Sequence, residues 1–400
     1  KELKIRWLSC SDQFPEFLPP IPADTRERNN ILFKEAAEKL KPYINSFPRL
    51  SHRRRKWKAG LLSVINELLS SRELLASLKG ISDEALRALC DELMEFVRQE
   101  RRFSPELTLD EIGQAMRNYI VYVMFKLMHE DASPFSMAAF GYSMLYPFTD
   151  NYIDSIAHRP DEKSRYNQLI RDKICGRLVY PATRHQKKTC ELLSAIEMEY
   201  PRSSHREIYE LLLMMLDAQE LSLRQQDRTI SLSEEERLDI SLYKGGLSVF
   251  IDRCLVRKPL SDEEILVYLG IGFFLQLADD LQDIGDDSKQ GYQTLFTLNT
   301  DTMANAAIVN KLLNFVHDLL APFKPENEEV KDFVLENCYQ LIFASVIGSS
   351  DFFPDDYIER IKKLLMLETD GMQHLRDILY KPIDKRSNKK YLKMLDAVIS

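Results

Sequence analysis

The chain has 400 residues, 44% of them hydrophobic and only 13 of them glycine, with a formal net charge of −8. That composition supplies a large apolar core, disfavours a turn-rich β fold and excludes a global attraction to nucleic acid or to an acidic membrane. The six cysteines form no CxxC pair and read as reduced thiols of a cytoplasmic protein, and no secretory signal or run of ~18 apolar residues stands out.

Along the chain, a proline-rich arm (Pro15, Pro19, Pro20, Pro22) precedes helical patterns at about 25–46, 56–78 and 82–102. Phe47-Pro48 and Lys79-Gly80 punctuate them, and Ser82-Asp83-Glu84 supplies N-cap chemistry for the third. Arg101-Arg102-Phe103-Ser104-Pro105 reads as a joint, dividing an N-terminal arm with accessory helices (1–105) from a larger bundle (106–400). Apolar helices are expected there at about 109–129, 134–157, 163–180, 185–199, 204–226, 233–256 and 261–284. Further ones are expected at about 301–321, 326–348, 354–380 and 388–398. No convincing run of alternating strands interrupts them, so the expected fold is all-α.

The chemistry concentrates in two acidic helix ends. Residues 270–287 form an apolar, helix-period run that closes on Asp279, Asp280, Asp283, Asp286 and Asp287. Residues four apart share a helix face, so Asp279, Asp283 and Asp287 would stack carboxylates that repel one another unless cations intervene. Hard oxygen donors on one face suit Mg²⁺, which bridges carboxylates to substrate phosphates. Acidic helix ends are also common as plain solvated surface. A second pair, Asp150 and Asp154, closes the apolar approach Met144-Leu145-Tyr146-Pro147-Phe148 with the same i, i+4 spacing. Facing each other, the two pairs could hold metal ions around a diphosphate and neutralise it as it leaves.

These motifs resemble those of the class I isoprenoid synthases, most closely the trans-isoprenyl diphosphate synthases. Asp279-Asp280-Leu281-Gln282-Asp283 looks like the family's second DDxxD motif, and Gly272…Leu275-Gln276 like its lead-in. Asp150-Asn151-x-x-Asp154 is similar to the first motif with its middle Asp replaced by Asn, and Arg159-Pro160 is what remains of the basic segment after it. Ala218-Gln219-Glu220-Leu221 resembles the family's G-Q-x-L helix, and Tyr243-Lys244-Gly245-Gly246-Leu247 its K-T-x-x-L segment. The resemblance covers roughly residues 110–300. It implies a helical bundle of that type, Mg²⁺ as cofactor and the homodimer common in the family; the N-terminal helices form an extra layer outside the resemblance, and composition and hydropathy argue against nucleic-acid binding and stable membrane insertion.

By the same resemblance, an allylic isoprenyl diphosphate would bind through Mg²⁺ held by Asp150, Asp154, Asp279 and Asp283. Asp280 and Lys244 would complete the catalytic set, with Gln219, Arg117, Arg159 and Gln276 contacting substrate. The expected activity is prenyl transfer to a second isoprenoid. One departure is specific: the family's G-G-K-x-x-R motif for the co-substrate diphosphate has its nearest counterpart in Gly113-Gln114-Ala115-Met116-Arg117, where an amide replaces the lysine. A neutral amide loses the charge-assisted bond to a diphosphate. A terpene cyclase acting on a single isoprenyl diphosphate, and a non-catalytic homologue, are the alternatives. Tyr146, Phe148, Tyr243, Tyr268, Phe273 and Phe274 would either face a carbocation or pack as core, and the basic run Arg53-Arg54-Arg55-Lys56 would be a solvated helix face or a phosphate contact.

Overall fold

The computed structural model of the protein describes residues 1–70, 81–155, 158–298, 301–368, 371 and 384–400. Among them are sixteen α-helices and no strand, so the fold is all-α. The first four are α1 (Glu2–Ser9), α2 (Ala23–Asn45), α3 (Ser51–Ser70) and α4 (Asp83–Phe103). The middle of the chain forms α5 (Leu109–Met128), α6 (Met137–Asp154), α7 (Pro160–Ile174), α8 (Arg184–Glu199) and α9 (Arg206–Ser222). Then follow α10 (Glu234–Cys254), α11 (Asp262–Gln282), α12 (Ile284–Gln290), α13 (Thr302–Leu320), α14 (Glu328–Gly348), α15 (Asp355–Lys362) and α16 (Lys385–Ile399). Among the described residues no helix is long and apolar enough to cross a membrane.

Local chemistry starts the helices that carry the acidic ends and their neighbours. Thr108, Ser233 and Ser261 each form a capping box with the glutamate three residues on, satisfying backbone N–H groups of α5, α10 and α11. Ser136 caps α6 through the Ala139 N–H at 3.0 Å. Ser82 does the same for α4 through Ala85, as its sequence suggested.

Two hydrophobic cores form. The larger takes in the bundle helices together with α1 and α4: Trp7 of α1 packs edge-on to Phe273 and Phe315, and Phe96 of α4 stacks on Tyr119. The smaller joins α2, α3 and α16 around Trp57, Leu61 and Met394. A short helix at residues 2–9 had no counterpart in the pattern reading, because its apolar face consists of only Leu3 and Trp7.

Helix ends moved at several places, and the run expected at 163–180 stops at Ile174. The run at 261–284 breaks at Asp283 and restarts as α12, which ends on Gly291 in the left-handed region at φ 68°. The run at 204–226 ends at Ser222 and finishes as a 3₁₀ turn over Leu223–Gln226. Of the pattern at 354–380, α15 covers 355–362, and residues 369–370 and 372–380 lie outside the described residues.

The tightest helix pair is α10 against α11, and glycines set it. A Cβ at Gly245 would lie 2.5 Å from the Gln276 Cβ and 2.7 Å from the Gly272 carbonyl oxygen, while one at Gly272 would collide with the Gly245 carbonyl oxygen. Backbone therefore rests directly on backbone at this crossing, one residue after Lys244 and four before Gln276.

Candidate functional site

The aspartates at the end of α11 gather in the recess where α11 meets Lys244 of α10 and Arg117 of α5. Asp279 is open to solvent, yet burial by the surrounding protein raises its carboxyl pKa, while Lys244 on α10 and Arg117 on α5 oppose the rise. Asp280 points inward and is buried. Its Oδ1 accepts from the Gln276 amide at 2.9 Å, its Oδ2 has no partner, and burial pushes its pKa up to about 8.

Asp283 and Asp287 extend the ridge. Burial first, then repulsion from Asp279 and Asp286, lifts Asp283 to about 6. Burial, then repulsion from Asp283 and Asp279, lifts Asp287 to about 7. Asp287 thus joins the group. The chain breaks from the helix at Asp283 (φ −94°, ψ 3°) and restarts as α12, and Asp287 there still feels the charges of Asp283 and Asp279. Asp286 faces outward and pairs with Lys289 at 2.8 Å.

The other acidic end lies beside a row of amides. Asp150 is buried, accepts from the Thr149 hydroxyl at 2.9 Å and takes a hydrogen bond from the Gln219 amide of α9. The backbone of Asp154 closes α6, and its side chain lies outside the described residues. Between these ends, α5 presents one turn containing Gln114 and Arg117. Gln114 and Asn151 form a reciprocal amide pair, with Asn151 donating at 3.0 Å and Gln114 donating at 3.4 Å. The two positions that depart from the family motifs are therefore each other's partners. Three residues on, Arg117 lies within electrostatic reach of Asp279 and Asp283.

Of the residues singled out from sequence, Asp150 and Gln219 come together, as do Asp279, Asp280, Asp283, Gln276, Lys244 and Arg117, with α5 between the two groups. Lys244 and Arg117 make no ion pair among the described residues, which leaves both cations available to an anion. Arg159 is not brought in. It caps the exposed start of α7 and is engaged by Glu162 at 3.3 Å and Asp161 at 3.6 Å. The aromatic candidates divide likewise: Tyr268, Phe273, Phe274 and Phe148 are packed core, and Tyr146 is exposed.

Sequence reading missed two participants. Asn118 on α5 donates to Ser143 of α6 at 3.2 Å and to Asp252 of α10 at 3.3 Å, tying three site helices beneath the amide row. Asp252 is fully buried, so burial raises its carboxyl far above the usual range. The available signal was a lone acid, Asp252, inside the apolar stretch Val249-Phe250-Ile251.

The donor set is oxygen-only and anionic, which fits a hard divalent cation. Among the described residues no three carboxyl, imidazole or thiol groups converge on one point. No protein-family model matches the chain, and no curated protein matches it.

Proposed function

We propose that the protein is a Mg²⁺-dependent enzyme that ionises an allylic isoprenyl diphosphate and transfers the prenyl group to a second isoprenoid substrate. The supporting observation is the pairing of an anionic ridge with unneutralised cations: Asp279, Asp283 and Asp287 crowd together while Lys244 and Arg117 stand near them without ion pairs. A carboxylate ridge alone repels a diphosphate, and cations alone would bind one without metal. The combination suits a metal–diphosphate complex.

In this reading Asp279 and Asp283, with Asp150 and Asp154 across α5, would hold Mg²⁺, and the bound metal would neutralise the leaving diphosphate. Lys244 and Arg117 would orient the diphosphate by charge-assisted hydrogen bonds. Gln219 fixes the Asp150 carboxylate, and Gln276 fixes Asp280, so both act as positioning residues. The packed aromatic and aliphatic body of α6, α10 and α11 would keep water from the cation.

A second reading, cyclisation of a single isoprenyl diphosphate, is favoured by the Gln114–Asn151 pair. Each amide satisfies the other, so this wall offers no ammonium to a second diphosphate. The test is incubation with C5 to C20 allylic diphosphates and Mg²⁺, with and without isopentenyl diphosphate. Longer diphosphates support transfer, whereas hydrocarbons or alcohols formed without co-substrate support cyclisation. Asp279→Asn should lower kcat/KM by at least ~100-fold, comparable to losing a principal transition-state contact. Absence of any product, with wild type and Asp279→Asn alike, would sink both readings.

A further inference from the structure

We infer that the layer formed by α2, α3 and α16 is a docking surface for an anionic lipid bilayer. The net charge of −8 conceals an uneven distribution. From residue 39 to residue 66 the chain has eight lysines and arginines and no acid, and from 385 to 395 it has five and no acid. These two segments hold 13 of the 54 cations, leaving 41 against 62 acidic residues elsewhere.

The fold brings the segments together. Trp57 of α3 and Met394 of α16 share the smaller core, with Tyr391 and Phe47 packed against it. The helices therefore lie side by side, and Arg53, Arg55, Lys56, Lys389 and Lys393 flank that core on its solvent side. All five are exposed and make no ion pair among the described residues. Within the first segment Lys39 and Lys41 are paired, with Glu67 at 2.7 Å and Glu38 at 2.8 Å, so the unpaired charge is that of these five.

A solvated helix face would end there, but apolar residues tip this one. The turn between α2 and α3 carries Leu50, 52% exposed, and the last turn of α2 carries Ile44, 40% exposed. Arg49 lies directly beside Leu50. Basic side chains that contact headgroups, next to aliphatic ones that enter the acyl boundary, are the composition of an interfacial anchor. Nucleic acid would engage the cations but leave Leu50 and Ile44 in water, which is why a bilayer fits better.

The placement relates the surface to the site. Asn388 at the start of α16 accepts a hydrogen bond from the Leu109 N–H at 3.1 Å, so the basic helix abuts the N-terminal end of α5. Gln114 and Arg117 project from that same helix about 8–12 Å further along its axis. A bilayer on this layer would lie at the recess end of the bundle, whatever reaction the recess performs.

Co-sedimentation with vesicles tests the inference. Wild type should partition at least ~10-fold more strongly onto phosphatidylcholine vesicles containing about 30 mol% phosphatidylglycerol than onto phosphatidylcholine alone, and about 0.5 M NaCl should abolish the difference. The triple reversal Arg53→Glu, Arg55→Glu, Lys56→Glu should lose the preference while keeping its Tm, and Leu50→Asp should weaken binding several-fold. Equal binding to both vesicle types would overturn the inference. So would a salt-insensitive preference, an undiminished triple variant, or binding to an oligonucleotide without binding to vesicles.

Discussion

Glu100 carries the clearest residue-scale liability outside the recess. It is fully buried on α4, neither carboxylate oxygen has a hydrogen bond, and the nearest cation, Arg101, is 4.0 Å away. Burial pushes its pKa up to about 8, so the folded state holds a proton that the unfolded state releases near the ordinary carboxylate value of 4.5. A raised folded-state pKa adds stability below the unfolded value and loses it as pH rises through the folded one. Wild type should therefore lose stability between pH 4.5 and about 8, by up to about 5 kcal/mol from this residue at ~1.4 kcal/mol per pKa unit. Glu100→Gln should flatten that slope, and thermal melts across the range would read it. The amide pair invites a different measurement. Gln114→Ala and Asn151→Ala, alone and combined, should show a coupling of about 0.5–1 kcal/mol by denaturant titration, the range for a neutral, partly exposed hydrogen-bonded pair. Additive effects would mean that the two amides do not act on each other.

At the scale of elements, the crossing of α10 and α11 governs the recess, because it sets Lys244 against Asp279. Gly272→Ala has no space on either side and should cost about 2 kcal/mol or more through helix separation, as overpacking does. Activity should fall beyond what the remaining folded fraction explains, which kcat measured well below the shifted Tm would show. Helix positions were largely legible in the sequence, since the 3.6-residue apolar rhythm and the capping boxes at Thr108, Ser233 and Ser261 are local signals. The acidic ends were legible for the same reason: i, i+4 spacing is a property of one helix. What one helix does not encode escaped. The break at Asp283 that recruits Asp287, the Gln114–Asn151 contact across 37 residues and the link from Asn118 to Asp252 all depend on which helices become neighbours. The outward pairing of Arg159 with Glu162 had a visible clue in its i, i+3 spacing, but position after the acidic motif suggested a role in the recess.

For the whole molecule, the two cores divide the labour. The larger one holds the helices that carry the acidic ends, with α1 and α4 built into it, and the smaller one holds the basic layer. Met394 is central to the smaller core, and Met394→Ala should destabilise the layer by about 2–3 kcal/mol. Hydrogen exchange should then rise in α3 and α16 while α10 and α11 stay protected, and uniform loss of protection would mean that the two cores melt as one. The composition of that smaller core also has a consequence for synthesis. Trp57 and Leu61 are made roughly 340 residues before their partner Met394. At ~5–20 residues per second that is a delay of roughly 20–70 s, during which the nascent α3 has no closing helix over Trp57. For that interval the growing chain displays an indole surrounded by arginines, and a chaperone or a nearby bilayer would encounter it before α16 does.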